Sequence, residues 1–180
     1  MNPLLALLQL HTPTWIKKGQ LQELFECTAS AFDTEAPAAA GLSFDERLQR
    51  YARFTASQVE AAIRRGNDPD ALRERLYRNG YRLGSKLRKR LRLSNAEEVA
   101  EAIPILYRAL RIELRGPAGG EIEVAHCFFS RFYSGQVCQI VSALDAGVVA
   151  GLSNGGRLTF RQRITGGREI CRASFEEVTG

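Results

Sequence analysis

Histidine, tryptophan and methionine are scarce in this chain, and paired cysteines are absent from it. Its 180 residues include two histidines, one tryptophan and one methionine, and the four cysteines, Cys27, Cys127, Cys138 and Cys171, form no Cys-x-x-Cys pair. A zinc site of cysteine and histidine is therefore not expected. Isolated thiols are typical of proteins from a reducing compartment. We predict no bound metal and no cofactor.

Long apolar runs are also lacking. No stretch of 18 apolar residues occurs, so no membrane-spanning helix is predicted and a membrane is not expected as a partner. Residues 1–10 are apolar but lack the basic leader and the small-residue cleavage site of a secretory signal. This segment is predicted to be a docked helix of a cytoplasmic protein.

Lysine is rare, although the net charge is +5. The 25 basic residues are nearly all arginine, and 20 acidic residues are interleaved with them along the chain. A nucleic-acid-binding surface usually concentrates positive charge, so nucleic acid is not expected as a partner. The basic helix flank at 82–92 leaves a third reading open, in which the chain is an adaptor for protein or nucleic acid. A homodimer also stays open.

The length and composition are those of one soluble globular domain, with 44% hydrophobic and 25% charged residues. Apolar residues recur at three- and four-residue steps in 20–32, 43–62 and 68–91, which predicts amphipathic helices. Gly80 and Gly84 in the last of these would allow a neighbouring helix to approach closely. About four helices are expected in the N-terminal part.

After residue 107 the hydrophobic period changes to two. Alternation around a Gly- and Pro-rich turn at 116–120 predicts a first hairpin, and alternation around 165–167 predicts a second one over 157–175. Helical spacing between them predicts a long helix over 133–148. We therefore predict a single α+β domain over residues 1–180, with helices in 1–107 packed on an antiparallel sheet of two β-hairpins with an intervening long helix in 108–180.

The alternation also predicts which side chains share a face of the sheet. It places His126 and Phe128 with Ile122 and Val124, which makes His126 a core histidine, and it places Cys127 on the opposite face. Adjacent side chains of a regular strand cannot pair, so His126 could activate Cys127 only if the strand ends or bulges there.

The second hairpin adds charged groups to the predicted site. If 165–167 is the whole turn, Cys171 faces Arg161 and lies on the same side as Arg163. Cys127, Cys171 and the two arginines would then line one face of the sheet. The alternative is that both thiols are small core residues.

A polar stripe runs along the long helix beside its buried face, formed by Arg131, Ser134, Cys138, Ser142 and Asp145. Such a stripe can border a ligand cavity, or it can be a partly wet helix flank. Asp145 needs a partner because a carboxylate beside a buried stripe is costly to desolvate. If the helix breaks at Gly147, Asp145 could instead be a capping residue.

Three features carry a resemblance to known proteins. They are a strand-terminal cysteine in His126-Cys127-Phe128, an aspartate in Leu144-Asp145-Ala146-Gly147, and a Gly-containing turn followed by Cys171 and Phe175. With these features the last 70 or so residues resemble the L-2-amino-thiazoline-4-carboxylic acid hydrolase family and, more distantly, the small-molecule-binding domains named after 4-vinyl reductase. The chain departs from the hydrolase pattern at Phe128, where that family usually has proline.

The resemblance implies one of two functions. The first is a hydrolase that opens a heterocyclic or amidine/amide-type C–N bond at a pocket of Cys, Asp and Arg. Cys127 would be the nucleophile or a substrate-contacting thiol, and Asp145 the general base or an orienting carboxylate. The second is a non-enzymatic module that binds a small hydrophobic ligand. The predicted substrate-binding residues are His126, Arg131, Cys138, Ser142, Arg161, Arg163 and Cys171.

Overall fold

The computed structural model describes residues 2–116 and 120–176. Helices form the N-terminal part and strands the C-terminal part, so the predicted α+β class is confirmed. The predicted turn at 116–120 includes residues 117–119, which lie outside the described residues. The elements are α1 (Pro3–Leu10), α2 (Thr14–Ala31), α3 (Phe44–Arg64), α4 (Pro69–Leu91), α5 (Ala96–Ala109), β1 (Ile112–Arg115), β2 (Glu121–Cys127), α6 (Gly135–Ser153), β3 (Arg157–Gln162) and β4 (Cys171–Glu176).

The apolar N-terminal segment is a docked helix, as predicted. Asn2 caps α1 by accepting a hydrogen bond from the backbone N–H of Leu4, and its Nδ2 donates to the carbonyl of Leu91 at 2.9 Å. One side chain therefore begins α1 and attaches it to the end of α4. Leu5 and Leu8 are buried beneath the helix.

Four glycines bring α4 and α6 into backbone contact. A Cβ added at Gly84 would lie 2.1 Å from the carbonyl oxygen of Val148, and one at Gly147 would lie 2.1 Å from that of Tyr77. Gly80 and Gly151 are equally crowded. The predicted close approach at Gly80 and Gly84 is confirmed. Gly147 does not break the helix, because α6 continues to Ser153.

The four strands form one antiparallel sheet in the order β1-β2-β4-β3. Each predicted hairpin is present, and the two are joined where β2 pairs with β4. One face is buried against α5 and α6, and it carries Ile122, Val124, Cys171, Ala173 and Phe175. The helices and this face together enclose the core.

A bulge interrupts β2 just before its end. The ladder pairs Leu114 with Val124 and Glu113 with His126, which leaves Ala125 as the extra residue of β2. An inserted residue reverses the alternation of the side chains that follow it.

The bulge exchanges the faces predicted for His126 and Cys127. Cys127 pairs with the buried Ile112 and lies on the inner face, whereas His126 is exposed and its Nδ1 lies 2.9 Å from Oε2 of Glu113. The prediction of a core histidine is therefore wrong. The physical reason is the single extra residue, which periodicity alone does not indicate.

A second bulge has the same effect in β3. Phe160 pairs with Ala173 and Gln162 pairs with Arg172, so Arg161 is the extra residue. The side chains beyond it change sides, and Arg163 turns towards α6.

The predicted pairing of Cys171 with Arg161 is wrong. The connection between the strands is residues 163–170 rather than three residues, and Cys171 begins β4 beyond it. Arg161 is exposed and lies 3.5 Å from the carboxylate of Glu121.

By length and composition alone, α6 is the one helix among residues 2–116 and 120–176 that could span a membrane. Buried core helices meet the same criteria. Here α6 packs against α3, α4, α5 and β3, which accounts for its apolar character.

Candidate functional site

A cavity of about 120 Å³ lies between the helices and the inner face of the sheet. Its wall is mainly apolar, and polar groups converge on it from α5, α6 and β2. The bordering residues are Gln20, Glu23, Leu24, Tyr51, Leu83, Leu87, Leu106, Tyr107, Leu110, Ile112, Cys127, Phe129, Tyr133, Cys138, Val141, Ser142, Leu144, Asp145 and Val148. The predicted helix stripe therefore borders a cavity at Cys138, Ser142 and Asp145.

Asp145 is a carboxylate in the middle of α6 whose partner comes from α5. The hydroxyl of Tyr107 donates a hydrogen bond to its Oδ1 at 3.1 Å. Burial raises the pKa of Asp145 to about 6, although the hydrogen bond from Tyr107 and the charge of Arg163 both lower it. Asp145 is therefore mostly ionised at neutral pH but titrates close to it.

Two thiols border the same cavity and a third lies beside it. Cys127 and Cys138 are in the wall, and Cys171 lies on the same inner face, where its sulfur accepts a hydrogen bond from the backbone N–H of Ile164. Burial raises the pKa of Cys127 to about 12 and also raises the pKa of Cys138 and of Cys171. All three are therefore neutral thiols at neutral pH.

Arg163 contacts a residue of the cavity wall but does not itself border the cavity. Its Nη2 donates to the hydroxyl of Ser142 at 2.9 Å, and its guanidinium lies 5.0 Å from the centre of the Phe160 ring. Its Nε is buried and has no hydrogen-bond partner in the part of the chain that the structure describes. Arg163 thus acts on the cavity through Ser142 and through its charge.

Five of the nine predicted site residues do not border the cavity: Arg163 and Cys171 lie beside its wall, and His126, Arg131 and Arg161 are exposed. His126 and Arg161 lie on the outer face of the sheet with acidic partners. Arg131 is exposed in a short 3₁₀ helix before α6, and its guanidinium lies 4.8 Å from the centre of the Phe128 ring. The first bulge turns His126 outward, the connection at 163–170 separates Arg161 from Cys171, and the 3₁₀ turn leaves Arg131 exposed.

The aromatic part of the wall includes three tyrosines, Tyr51, Tyr107 and Tyr133, that were not predicted. The rings of Tyr51 and Phe129 lie edge to face at 5.8 Å, and Phe129 stacks with Tyr133 at 5.5 Å. Tyr107 adds a fourth bordering ring. The sequence did indicate that Asp145, in the middle of a helix, needs a hydrogen-bond donor from another element. It did not indicate that this donor is Tyr107.

Glu23 of α2 is the second carboxylate of the cavity wall. Its carboxylate pairs with Lys86 at 2.8 Å and with Arg90 at 2.9 Å, and hydrogen bonding to Arg90 is the main reason that its pKa is lowered. Glu23 also borders a surface groove beside α1, together with Gln20 and Leu87. The groove and the cavity therefore share this part of their walls.

No group of three or more His, Cys, Asp or Glu side chains is placed to hold a metal ion among the residues that the structure describes. The polar groups of the cavity are instead one carboxylate held by a tyrosine, one carboxylate held by two cations, one amide, and neutral hydroxyls and thiols. They suit hydrogen bonding to an organic molecule.

Comparison with known proteins gives no family assignment. The chain matches no protein-family model, and no curated protein is significantly similar to it in sequence. The resemblance to the hydrolase family and to vinyl-reductase-type domains stays a prediction, so the chemistry of the site is argued from its own residues.

Proposed function

We propose that this chain is a binding domain for a small, mainly apolar molecule, held in the cavity with a polar group directed at Asp145 and Tyr107. The observation that carries the proposal is the convergence of this hydrogen-bonded pair on a mainly apolar cavity. Ligand sites commonly combine apolar walls with a few directed polar groups, because the walls supply affinity and the polar groups fix orientation.

The cavity volume limits the size of the ligand. A cavity of roughly 150 Å³ lined by apolar side chains binds benzene, and the cavity here measures about 120 Å³. A single five- or six-membered ring is therefore the expected scale for a ligand that does not widen the site. A larger ligand would extend past Glu23 towards the groove beside α1.

The thiols are better suited to contact with a bound ligand than to nucleophilic chemistry. A thiolate is the reactive form of cysteine, and burial raises the pKa of Cys127 to about 12. His126 and Arg161, which could have activated this thiol, lie on the other face of the sheet. Cys127 and Cys138 are therefore assigned to contact with the ligand.

Thermal unfolding with tetrahydropyran tests the proposal, because this ring is small, neutral and soluble. A ligand that binds the folded state raises the melting temperature as its concentration rises. Leu110→Trp should remove this effect by filling the cavity, which Leu110 borders. Leu114→Trp is the matched control, because Leu114 is also half-buried but borders a different surface groove.

The expected result is a concentration-dependent rise for the wild type and for Leu114→Trp, with none for Leu110→Trp. An equal rise for both variants would contradict binding in this cavity, and so would the absence of a rise for the wild type with neutral and charged six-membered rings alike.

Hydrolysis of a C–N bond in a small heterocycle is a second candidate, favoured by one observation. A carboxyl with a pKa near 6, such as that of Asp145, is suited to general acid–base catalysis. Asp145 would accept a proton from the attacking water and return it to the nitrogen as the C–N bond breaks, and Cys127 would contact the substrate. Turnover that Asp145→Asn abolishes and Cys127→Ser retains would support this role.

A cytoplasmic location is part of the same proposal. Cys27, Cys127, Cys138 and Cys171 are all free thiols, and free thiols persist in reducing compartments. Fractionation of cells that express the tagged full chain would test this location, and recovery in the membrane fraction would contradict it.

A further inference from the structure

We infer that the ligand of this cavity is an organic cation, a protonated amine on a small hydrocarbon ring. The inference rests on the proposed binding function and adds the charge of the ligand to it. It follows from the distribution of charge and of aromatic rings around the cavity.

The charged groups of the wall are all acidic. Among the described residues that border the cavity, Glu23 and Asp145 carry carboxylates, and no lysine, arginine or histidine accompanies them. Glu23 already has two cationic partners, Lys86 and Arg90. Asp145 differs from it, because its hydrogen-bond donor is the neutral hydroxyl of Tyr107.

A carboxylate in an apolar wall is stabilised by a cation and by further hydrogen-bond donors. Arg163 is near enough to lower the pKa of Asp145, but it does not border the cavity. Its guanidinium is held by Ser142 and the Phe160 ring. The cavity side of Asp145 is therefore open to a donor that arrives with the ligand.

The aromatic part of the wall favours the same kind of ligand. Cations are attracted to aromatic rings, and sites for organic ammonium groups are commonly lined with them. Phe129 contacts both Tyr51 and Tyr133 beside the cavity, and Tyr107 borders it next to Asp145. These rings can lower the cost of moving an ammonium group out of water.

The same arrangement discriminates against other ligands. A carboxylate or phosphate would be repelled by Asp145, since like charges at short range are costly in an apolar site. A neutral ether offers acceptor lone pairs only, and ionised Asp145 is itself an acceptor. A protonated amine supplies both the charge and the N–H donors.

Piperidine and tetrahydropyran form a matched pair of probes. They share the six-membered ring, and the protonated NH₂⁺ group of piperidine at pH 7.5 replaces the ether oxygen of tetrahydropyran. Calorimetric titration of the full chain should show that piperidine binds about tenfold more tightly or better, the size expected for a hydrogen bond to a charged group.

Two variants test whether Asp145 causes the preference for piperidine. Asp145→Asn should remove the preference for piperidine over tetrahydropyran. Asp45→Asn makes the same change at an exposed aspartate paired with Arg111, and it should keep the wild-type preference. Circular dichroism of both variants checks that they are folded.

The other outcomes distinguish a failure of the inference about charge from a failure of the proposed binding function. If tetrahydropyran binds the wild type as tightly as piperidine or more tightly, the inference about charge is wrong and the proposed binding function stands. If the preference survives in Asp145→Asn, the inference is also wrong. If neither probe binds, the proposed function fails, and the inference fails with it.

Discussion

The hydroxyl of Tyr107 donates a hydrogen bond to Oδ1 of Asp145 at 3.1 Å and joins α5 to α6 at the cavity wall. Both residues lie among apolar side chains, and burial is the first cause of the raised pKa of each. Burying this pair therefore costs folding free energy. A role in recognition or chemistry would explain why the pair is present. This makes it the most informative place to test the site.

The pH dependence of stability should reveal Asp145. Its pKa is raised from 3.8 to about 6 on folding, so the folded state binds the proton more tightly than the unfolded state does. This contribution to stability is fully present below pH 3.8 and is lost as the pH rises through 6. In total it corresponds to about 3 kcal/mol.

Comparison with Asp145→Asn isolates this contribution, because asparagine does not titrate. Between pH 7.5 and pH 4.5 the free energy of unfolding of the wild type should gain about 2 kcal/mol relative to the variant. Urea unfolding at the two pH values measures it. A difference between wild type and variant that is the same at both values would show that folding does not raise the pKa of Asp145.

Tyr107→Phe should destabilise the protein at pH 7.5 by about 1–2 kcal/mol, because it leaves the carboxylate without its hydrogen-bond donor. Tyr107→Phe should lower the free energy of unfolding by less in an Asp145→Asn background, because the acceptor there is neutral. Urea unfolding of the four proteins forms a double-mutant cycle. Equal costs in the two backgrounds would mean that the charged hydrogen bond adds nothing.

Alkylation should be slow at the cavity thiols. Because burial raises the pKa of Cys127 to about 12 and also raises the pKa of Cys138, little thiolate is present at pH 7.5. Mass spectrometry after iodoacetamide treatment should show far slower modification of both than in the protein unfolded in urea. Faster modification of folded Cys127 would instead favour a nucleophilic role.

Gly147→Ala should weaken the packing of α6 on α4. The new Cβ would lie 2.1 Å from the carbonyl oxygen of Tyr77, so the helices must separate, at a cost of about 1–3 kcal/mol or more. Gly19→Ala in α2 is the matched control, because its Cβ meets nothing within 4 Å. It should stabilise the helix by roughly 0.5–1 kcal/mol. Thermal unfolding of both variants distinguishes the two effects.

The sequence was sufficient to predict the regular elements, because helices and strands leave different hydrophobic periods. It was also sufficient for the contact at Gly80 and Gly84, since glycine on a helix face removes the atom that would block a neighbour. The sequence was insufficient where a single extra residue shifted the register of a strand. Ala125 and Arg161 are ordinary strand residues, yet each is the extra residue of a bulge.

The two bulges decide the composition of the site. Without them Cys127 and Arg163 would point away from α6, and His126 would point towards it. The pairing of Tyr107 with Asp145 was equally hidden, because it depends on how α5 packs against α6 and not on either helix alone. Local pattern therefore predicted most of the fold, whereas tertiary contacts decided which of the predicted residues border the cavity.

The location of a bound probe tests the central claim most directly. Intermolecular nuclear Overhauser effects between tetrahydropyran and the protein methyl groups report which side chains contact it. We predict signals to Val141 and Leu144, which border the cavity. Signals confined to the exposed Leu7 and Leu10, with none to Val141 or Leu144, would contradict the assignment of this cavity as a ligand site.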